Sequence, residues 1–402
     1  MSKLDELIAE FCPDGVEYRR VGDIADYEQP SKYLVKSTDY NDNFEIPVLT
    51  AGQTFILGYT NEKEGIYNAS PEKPVIIFDD FTGAFKWVDF PFKAKSSAMK
   101  MITSKSDVLI RYLYHLMGFL NYSSDEHKRL WISVYSELQV PVPHLEVQRE
   151  IVHILDSFTL LTAELTAELT ARKKQYEFYR DNLIKKEQHI SEVKKLADVA
   201  NIYDSLHQTP SYSNSGYSMV RVQDIKGGYV DEDKTLKVDE SVWNLFTQKY
   251  TPRLNDIVVS RVGSYGNFAL IPNDKCCLGQ NVALIHPNIN PKYLYHVLMS
   301  TMTKQWINNN VKGASQKSFS LADIKRVPVP VPKENIQQRI AEVLDNFEAI
   351  CTDLNIGLPA EIEARQKQYE YYRDLLLTFA ETSSTLMTDR QTDRQTDRAE
   401  RN

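Results

Sequence analysis

The 402-residue chain lacks most of the features from which an activity is usually read. Its four cysteines, Cys12, Cys276, Cys277 and Cys351, show neither Cys-x-x-Cys spacing nor the density of a disulfide framework, and so offer no paired-cysteine metal site. No His-Glu-x-x-His helix offers a metal site. There is no G-x-x-x-x-G-K-[ST] loop to cradle a nucleotide phosphate, and no Asn/Asp-Pro-Pro-Tyr/Phe tetrapeptide of the kind an amino-methyltransferase carries. Pro13-Asp14 with Glu17 resembles a nuclease carboxylate cluster only faintly, because no strand context and no following lysine accompany it. Apolar runs stay short of the roughly 18 residues that span a bilayer. The start, Met1-Ser2-Lys3-Leu4-Asp5-Glu6-Leu7, places acids where a secretory signal would be basic and then apolar. These absences predict a cytoplasmic protein with no membrane partner and no catalytic or metal-binding residues of its own.

What is present begins with an uneven charge. The net of −8 argues against a nucleic-acid partner until it is divided along the chain. Residues 1–139 hold 15 basic and 21 acidic residues, whereas residues 249–326 hold 10 basic and only 3 acidic, a local net of +7. One half therefore presents a basic surface, while the other would need local patches or a partner to meet a polyanion.

The chain is also written twice. Pro141-Val142-Pro143 returns as Pro330-Val331-Pro332, and Ile154-Leu155-Asp156-Ser157-Phe158 as Val343-Leu344-Asp345-Asn346-Phe347, both at an offset of 189. Arg172-Lys173-Lys174-Gln175-Tyr176-Glu177-Phe178-Tyr179-Arg180-Asp181 returns as Arg365-Gln366-Lys367-Gln368-Tyr369-Glu370-Tyr371-Tyr372-Arg373-Asp374 at an offset of 193. Fainter echoes lie between them, among them Tyr112-Leu113-Tyr114-His115 against Tyr293-Leu294-Tyr295-His296. A packed helix face explains this histidine pair better than a shared chemistry.

Both repeats carry apolar residues at steps of three and four, the pattern of a long amphipathic helix. Pro141 and Pro143 hold the preceding segment extended, so the first helix should begin near Leu145. Gly357 and Pro359 should break or kink the second. Two such helices can bury narrow stripes against each other as an antiparallel coiled coil, or each can pack on its own domain. The intervening segments read as mixed α/β, with short β-branched runs such as Pro74–Phe78 and Asp256–Ser260 bounded by turn residues.

Two variable segments alternating with two repeated helices resemble the specificity subunit of type I restriction-modification systems, over residues 1 to about 380. The most specific marks are Pro-Val-Pro followed by Leu-Asp-x-Phe, the helix end Lys-x-Gln-Tyr-Glu-x-Tyr-Arg-Asp, and the tandem Thr162-Ala163-Glu164-Leu165, Thr166-Ala167-Glu168-Leu169. The resemblance implies a mixed α/β fold with a pseudo-twofold internal repeat. Its parts would be a first target-recognition domain (1–143), a spacer helix (144–190), a second recognition domain (191–332), a second spacer helix (333–380) and a disordered tail (381–402). It further implies a non-catalytic subunit that reads a bipartite DNA target with an unspecified gap. Its partners would be double-stranded DNA, two modification subunits that bind S-adenosylmethionine, and restriction subunits that use ATP and Mg²⁺. A solitary bipartite DNA-binding or scaffold protein is the alternative.

Base edges call for hydrogen-bonding side chains and phosphates for cations. The polar loops of the basic half offer Arg261, Ser264, Tyr265, Asn267, Lys312, Gln316 and Lys317, and the first half offers Gln53, Thr54, Asn61, Lys86, Lys128 and Arg129. Thr162, Leu165, Thr166, Leu169, Tyr176, Tyr179, Tyr369 and Tyr372 are the expected spacer and docking residues. The end of the chain repeats Thr388-Asp389-Arg390-Gln391 as Thr392-Asp393-Arg394-Gln395 and then Thr396-Asp397-Arg398, which predicts a solvated tail. Repetition of the tetranucleotide A-C-A-G would encode it, so slippage of that repeat is expected to change the reading frame.

Overall fold

A computed structural model describes residues 2–52, 54–122, 129–311, 318–352 and 357–379. The chain forms two compact units, one of Met1–Ala163 with Ala364–Asn402 and one of Glu164–Glu363. Among the described residues no helix is long and apolar enough to cross a membrane.

In the first unit, Glu17–Arg20 pairs antiparallel with Gln139–Val142, setting Tyr18 opposite Pro141. A four-stranded sheet follows in the order Ala25–Glu28, Met99–Ser104, Val75–Asp79, Phe85–Val88. A three-stranded sheet runs Ile56–Thr60, Ile46–Leu49, Lys93–Ala94, the last pair parallel. Val75–Phe78 is apolar at every position and wholly buried, as a strand covered on both faces must be. The helix Ile110–Leu120 covers one face, packing Tyr112, Leu113, Leu116 and Met117 into a core that includes Trp131 and Tyr135.

The second unit repeats this plan strand for strand. Glu192–Lys195 pairs with Pro328–Val331, setting Val193 opposite Pro330. The larger sheet runs Ala200–Asp204, Val282–Pro287, Ile257–Ser260, Phe268–Leu270. The smaller runs Leu236–Val238, Tyr217–Val220, Cys276–Leu278, again with its last pair parallel. The helix Pro291–Met299 takes the place of Ile110–Leu120, and proline at its first turn forfeits no hydrogen bond. The strand Gln139–Val142 and the strand runs at Val75 and Ile257 are where the sequence put extended structure.

Each Pro-Val-Pro strand leads directly into a repeat helix. The first is continuous over Leu145–Ile190. The second is two helices, Glu334–Thr352 and Leu358–Leu377. Gly357 precedes the new start and Pro359 lies in its first turn, where a missing N–H is tolerated. The break expected from those residues is therefore real.

Candidate nucleic-acid interface

The repeated residues converge on one buried polar knot in each unit. In the first, His115 is fully buried on Ile110–Leu120. Its Nε2 meets Asp156 Oδ1 at 2.9 Å and its Nδ1 meets the Tyr369 hydroxyl at 3.0 Å. Arg111, one helical turn earlier, donates to the same Asp156 oxygen at 2.7 Å. Phe158 stacks on Tyr372 with centroids 5.1 Å apart. The second unit is built alike. His296 Nε2 meets Asp345 at 2.8 Å, its Nδ1 meets the Tyr176 hydroxyl at 3.0 Å, and Lys292 donates to Asp345 at 2.5 Å. Tyr179 lies 5.5 Å from Phe347.

Leu-Asp-x-Phe and Gln-Tyr-Glu-x-Tyr-Arg are thus two halves of one contact. Within each unit, the start of one repeat helix meets the end of the other, which is an antiparallel pairing. The supporting bonds are duplicated as well. Tyr112 donates to Pro141 O and Tyr293 to Pro330 O, both at 3.0 Å. Gln148 and Gln337 each donate to the carbonyl that follows the Pro-Val-Pro strand, Pro143 and Pro332, at 2.8 Å.

Burial holds His115 below its ordinary value, more strongly than the hydrogen bond to Asp156 raises it. Burial also pushes Asp156 up, yet the hydrogen bonds from His115 and Arg111 outweigh it and leave the carboxyl below the usual range. These shifts describe a neutral imidazole that donates from Nε2 to a carboxylate and accepts from Tyr369 at Nδ1. Burial pushes the Tyr369 phenol up to about 12, so it remains a donor at neutral pH. In the second unit His296, Asp345 and Glu348 bring ligand atoms within 4.8 Å of one another. There His296 spends both nitrogens on Tyr176 and Asp345, and Asp345 also accepts from Lys292.

The expected DNA-contacting residues fall in several places. Gln53, Lys128, Lys312, Gln316 and Lys317 lie outside the described residues. Thr54 is exposed in the turn before strand Ile56–Thr60, and Asn61 is exposed just after it. Lys86 is exposed on strand Phe85–Val88, and exposed Arg129 precedes the short helix Leu130–Ser133. Ser264 and Asn267 share a tight turn closed by Ser260, with Gly263 and Gly266 at φ +74° and +76° supplying the left-handed positions. Tyr265 is half-buried against the core. Arg261 pairs with Asp204 and donates to Phe319 O at 3.4 Å, so much of its guanidinium is spent inside the fold.

Of the spacer residues, Leu165 and Leu169 are half-buried on Leu145–Ile190. The Thr162 hydroxyl donates to Phe158 O at 2.9 Å, while Thr166 is exposed and its carbonyl accepts from Thr170 at 3.0 Å. Tyr176 and Tyr369 are the knot donors, and Tyr179 and Tyr372 the stacked rings. The repeating tail lies outside the described residues.

Sequence reasoning passed over Arg111, Lys292, Asp156 and Asp345 as histidine partners, although the cation one helical turn before each histidine was a readable signal. It also passed over the buried pair Lys100–Asp80, 3.1 Å apart, in which Asp80 also accepts from the Trp131 N–H. Arg221 was missed too. It lies beside a cleft of about 400 Å³ with Gln223, Gln280 and Asn281.

The family model for the type I restriction modification DNA specificity domain matches the chain twice, over residues 13–172 and 190–364. The chain belongs to that family. It is 44% identical over 401 residues to the type I restriction enzyme EcoR124I/EcoR124II specificity subunit of Escherichia coli, covering 94% of this chain and 97% of that one. A putative type I restriction enzyme specificity subunit of Haemophilus influenzae is 28% identical over 384 residues, covering 91% and 96%. In fold, the chain is similar to the type I restriction-modification S subunit of M. genitalium, with a TM-score of 0.55 at 12% identity over 90% of this chain and 96% of that one. The mixed α/β fold and duplicated recognition domains implied by the sequence resemblance are therefore present.

Proposed function

We propose that this chain is the non-catalytic DNA-recognition subunit of a type I restriction-modification complex. On this reading each unit reads one half of a bipartite target, and the gap between the halves carries no sequence requirement. The observation that carries the reading is duplication. One chain holds two units with the same strand order and the same buried knot, while their exposed loops differ. A rigid repeated frame bearing unlike loops suits the reading of two unlike half-sites.

The partners belong to the same proposal. Two modification subunits would supply S-adenosylmethionine-dependent adenine methylation, and restriction subunits would supply ATP- and Mg²⁺-dependent translocation and cleavage, in the cytoplasm. The chain would dock them and bind none of these cofactors itself. Exchanging residues 1–139 for the matching segment of another family member tests the division of labour. The methylated motif of the chimera should change in one half-site and keep the other; a change in both, or in neither, refutes it. Co-purification decides against the alternative of a solitary binding protein: a stable complex of one such chain with two modification subunits is the expected result.

A further inference from the structure

The hydrogen-bond frames of the two smaller sheets agree through the parallel pairs and part just beyond them. In the second unit, Gly279 N donates to Val220 O at 2.8 Å, one step beyond the parallel pair. In the first, Lys95 N donates to Leu49 O at 3.0 Å at the same step. The next residue along the central strand is Arg221 in one unit and Thr50 in the other. The backbone is shared up to that step and parts there, since Thr50 N donates to Phe55 O at 2.9 Å and Arg221 N to Asp224 Oδ2 at 2.9 Å. The exchange is also coupled: a Cβ on Gly279 would stand 3.2 Å from Arg221 Cγ and 3.2 Å from Val220 O, so glycine leaves room for the arginine stem.

Arg221 is held in one orientation. Its Nε and Nη2 donate to the two oxygens of Asp224 at 3.0 and 3.1 Å. Asp224 is itself fixed, since Oδ2 also accepts the Arg221 backbone N–H at 2.9 Å. Among the described residues, the far edge of the guanidinium, Nη1 with Nη2, meets a single exposed amide. With its amide oxygen turned inward, exposed Gln223 accepts from both, at 3.1 and 2.7 Å. Arg221 and Gln223 line the cleft whose other polar walls are Thr209, Tyr212, Ser264, Gln280 and Asn281, with no carboxylate among the described lining residues.

We infer that Arg221 reads a guanine in the half-site of the second unit, with Asp224 as its positioning residue and Gln223 holding the reading edge in the free protein. The inference rests on the DNA-recognition reading above. Two parallel N–H groups of a fixed guanidinium match O6 and N7 of guanine in the major groove and no other base edge so well. A lysine at this place offers a point charge without the fork. Gln223 contributes a single exposed oxygen, which two base acceptors replace.

The test is enrichment of a randomised duplex library by the full-length chain, purified with whatever subunits accompany it. Wild type, Arg221→Ala, Arg221→Lys and Asp224→Asn are compared. Arg221→Ala should lose about 5- to 150-fold of the preference for G at one position of one half-site, as expected for one bidentate contact. The other half-site and the affinity for unrelated duplex should be retained. Arg221→Lys should lose the same preference, and Asp224→Asn should weaken it at that position alone. An unchanged motif in Arg221→Ala or Arg221→Lys, or an even loss at every position, overturns the assignment to guanine. If Arg221→Ala does not fold, Arg221→Lys decides by the same criterion. A wild-type chain that enriches no motif would instead refute the DNA-recognition reading itself.

Discussion

Replacing Tyr176 by phenylalanine isolates one hydrogen bond of the second knot. The ring remains, and with it the Arg180 guanidinium 5.3 Å from its centroid, so no cavity opens. What is lost is the donor to His296 Nδ1 at 3.0 Å, on a histidine that is 0% exposed and a tyrosine that is 8% exposed. The imidazole nitrogen is then buried without a partner, which costs about 1–3 kcal/mol. At about 1.4 kcal/mol per tenfold, amides that exchange only when the second unit opens should lose about 5- to 150-fold of their protection. Hydrogen exchange followed by mass spectrometry reads this in peptides spanning Pro291–Met299, with peptides of Ile110–Leu120 as the internal control. Tyr369→Phe removes the same bond in the first unit. Tyr369 is only half-buried, so water can replace part of the bond and the loss should be smaller. Equal protection in Tyr176→Phe and wild type, or an effect of Tyr369→Phe that exceeds that of Tyr176→Phe, would show that the knot does not hold the unit through this bond.

Further expectations concern the helices, the chain end and pH. A third Thr-Ala-Glu-Leu inserted after Leu169 adds about 6 Å and a net turn of about 40° to the helix, close to the roughly 34° of one base pair. The methylated motif should keep both half-sites and gain one unspecified base pair, and an unchanged gap refutes the spacer role. Ending the chain at Phe379 should leave both unfolding transitions intact. Ending it at Glu363 removes Tyr369, Leu376 and Leu377 from the first core, so calorimetry should show only the second unit melting cooperatively. Because burial holds His115 below 6.5, the folded unit keeps it neutral while the unfolded chain takes up a proton below that pH. Stability is therefore full above pH about 6.5 and declines below it. His115→Gln should flatten that decline in urea titrations between pH 7.5 and 5.5, and an identical decline in both proteins would exclude His115 as its source.

The sequence made the frame legible and left the reading face largely hidden, for one physical reason. Asp156, Phe158, Tyr369 and Tyr372 recur as Asp345, Phe347, Tyr176 and Tyr179 because each closes a contact between segments far apart in the chain, buried at the histidines and partly exposed at the Tyr179 and Tyr372 rings. A change at one end strands a polar atom or opens a gap at the other, so both copies are held to the same residues. Repetition is consequently a detector of internal constraint. Arg221 and Thr50 occupy the same step of the same backbone frame, yet nothing inside the fold requires them to agree. A search for repeated residues passes over such a site, and a search for polar loops chooses Arg261, much of whose guanidinium is spent on Asp204 and a backbone carbonyl. What separates the two arginines is which edge remains available, and that depends on strand register and on Gly279. In a chain that contains its own copy, residues that agree mark what holds each unit together. Residues that disagree on a shared backbone, beside a polar cleft, mark where the two units can bind different sequences.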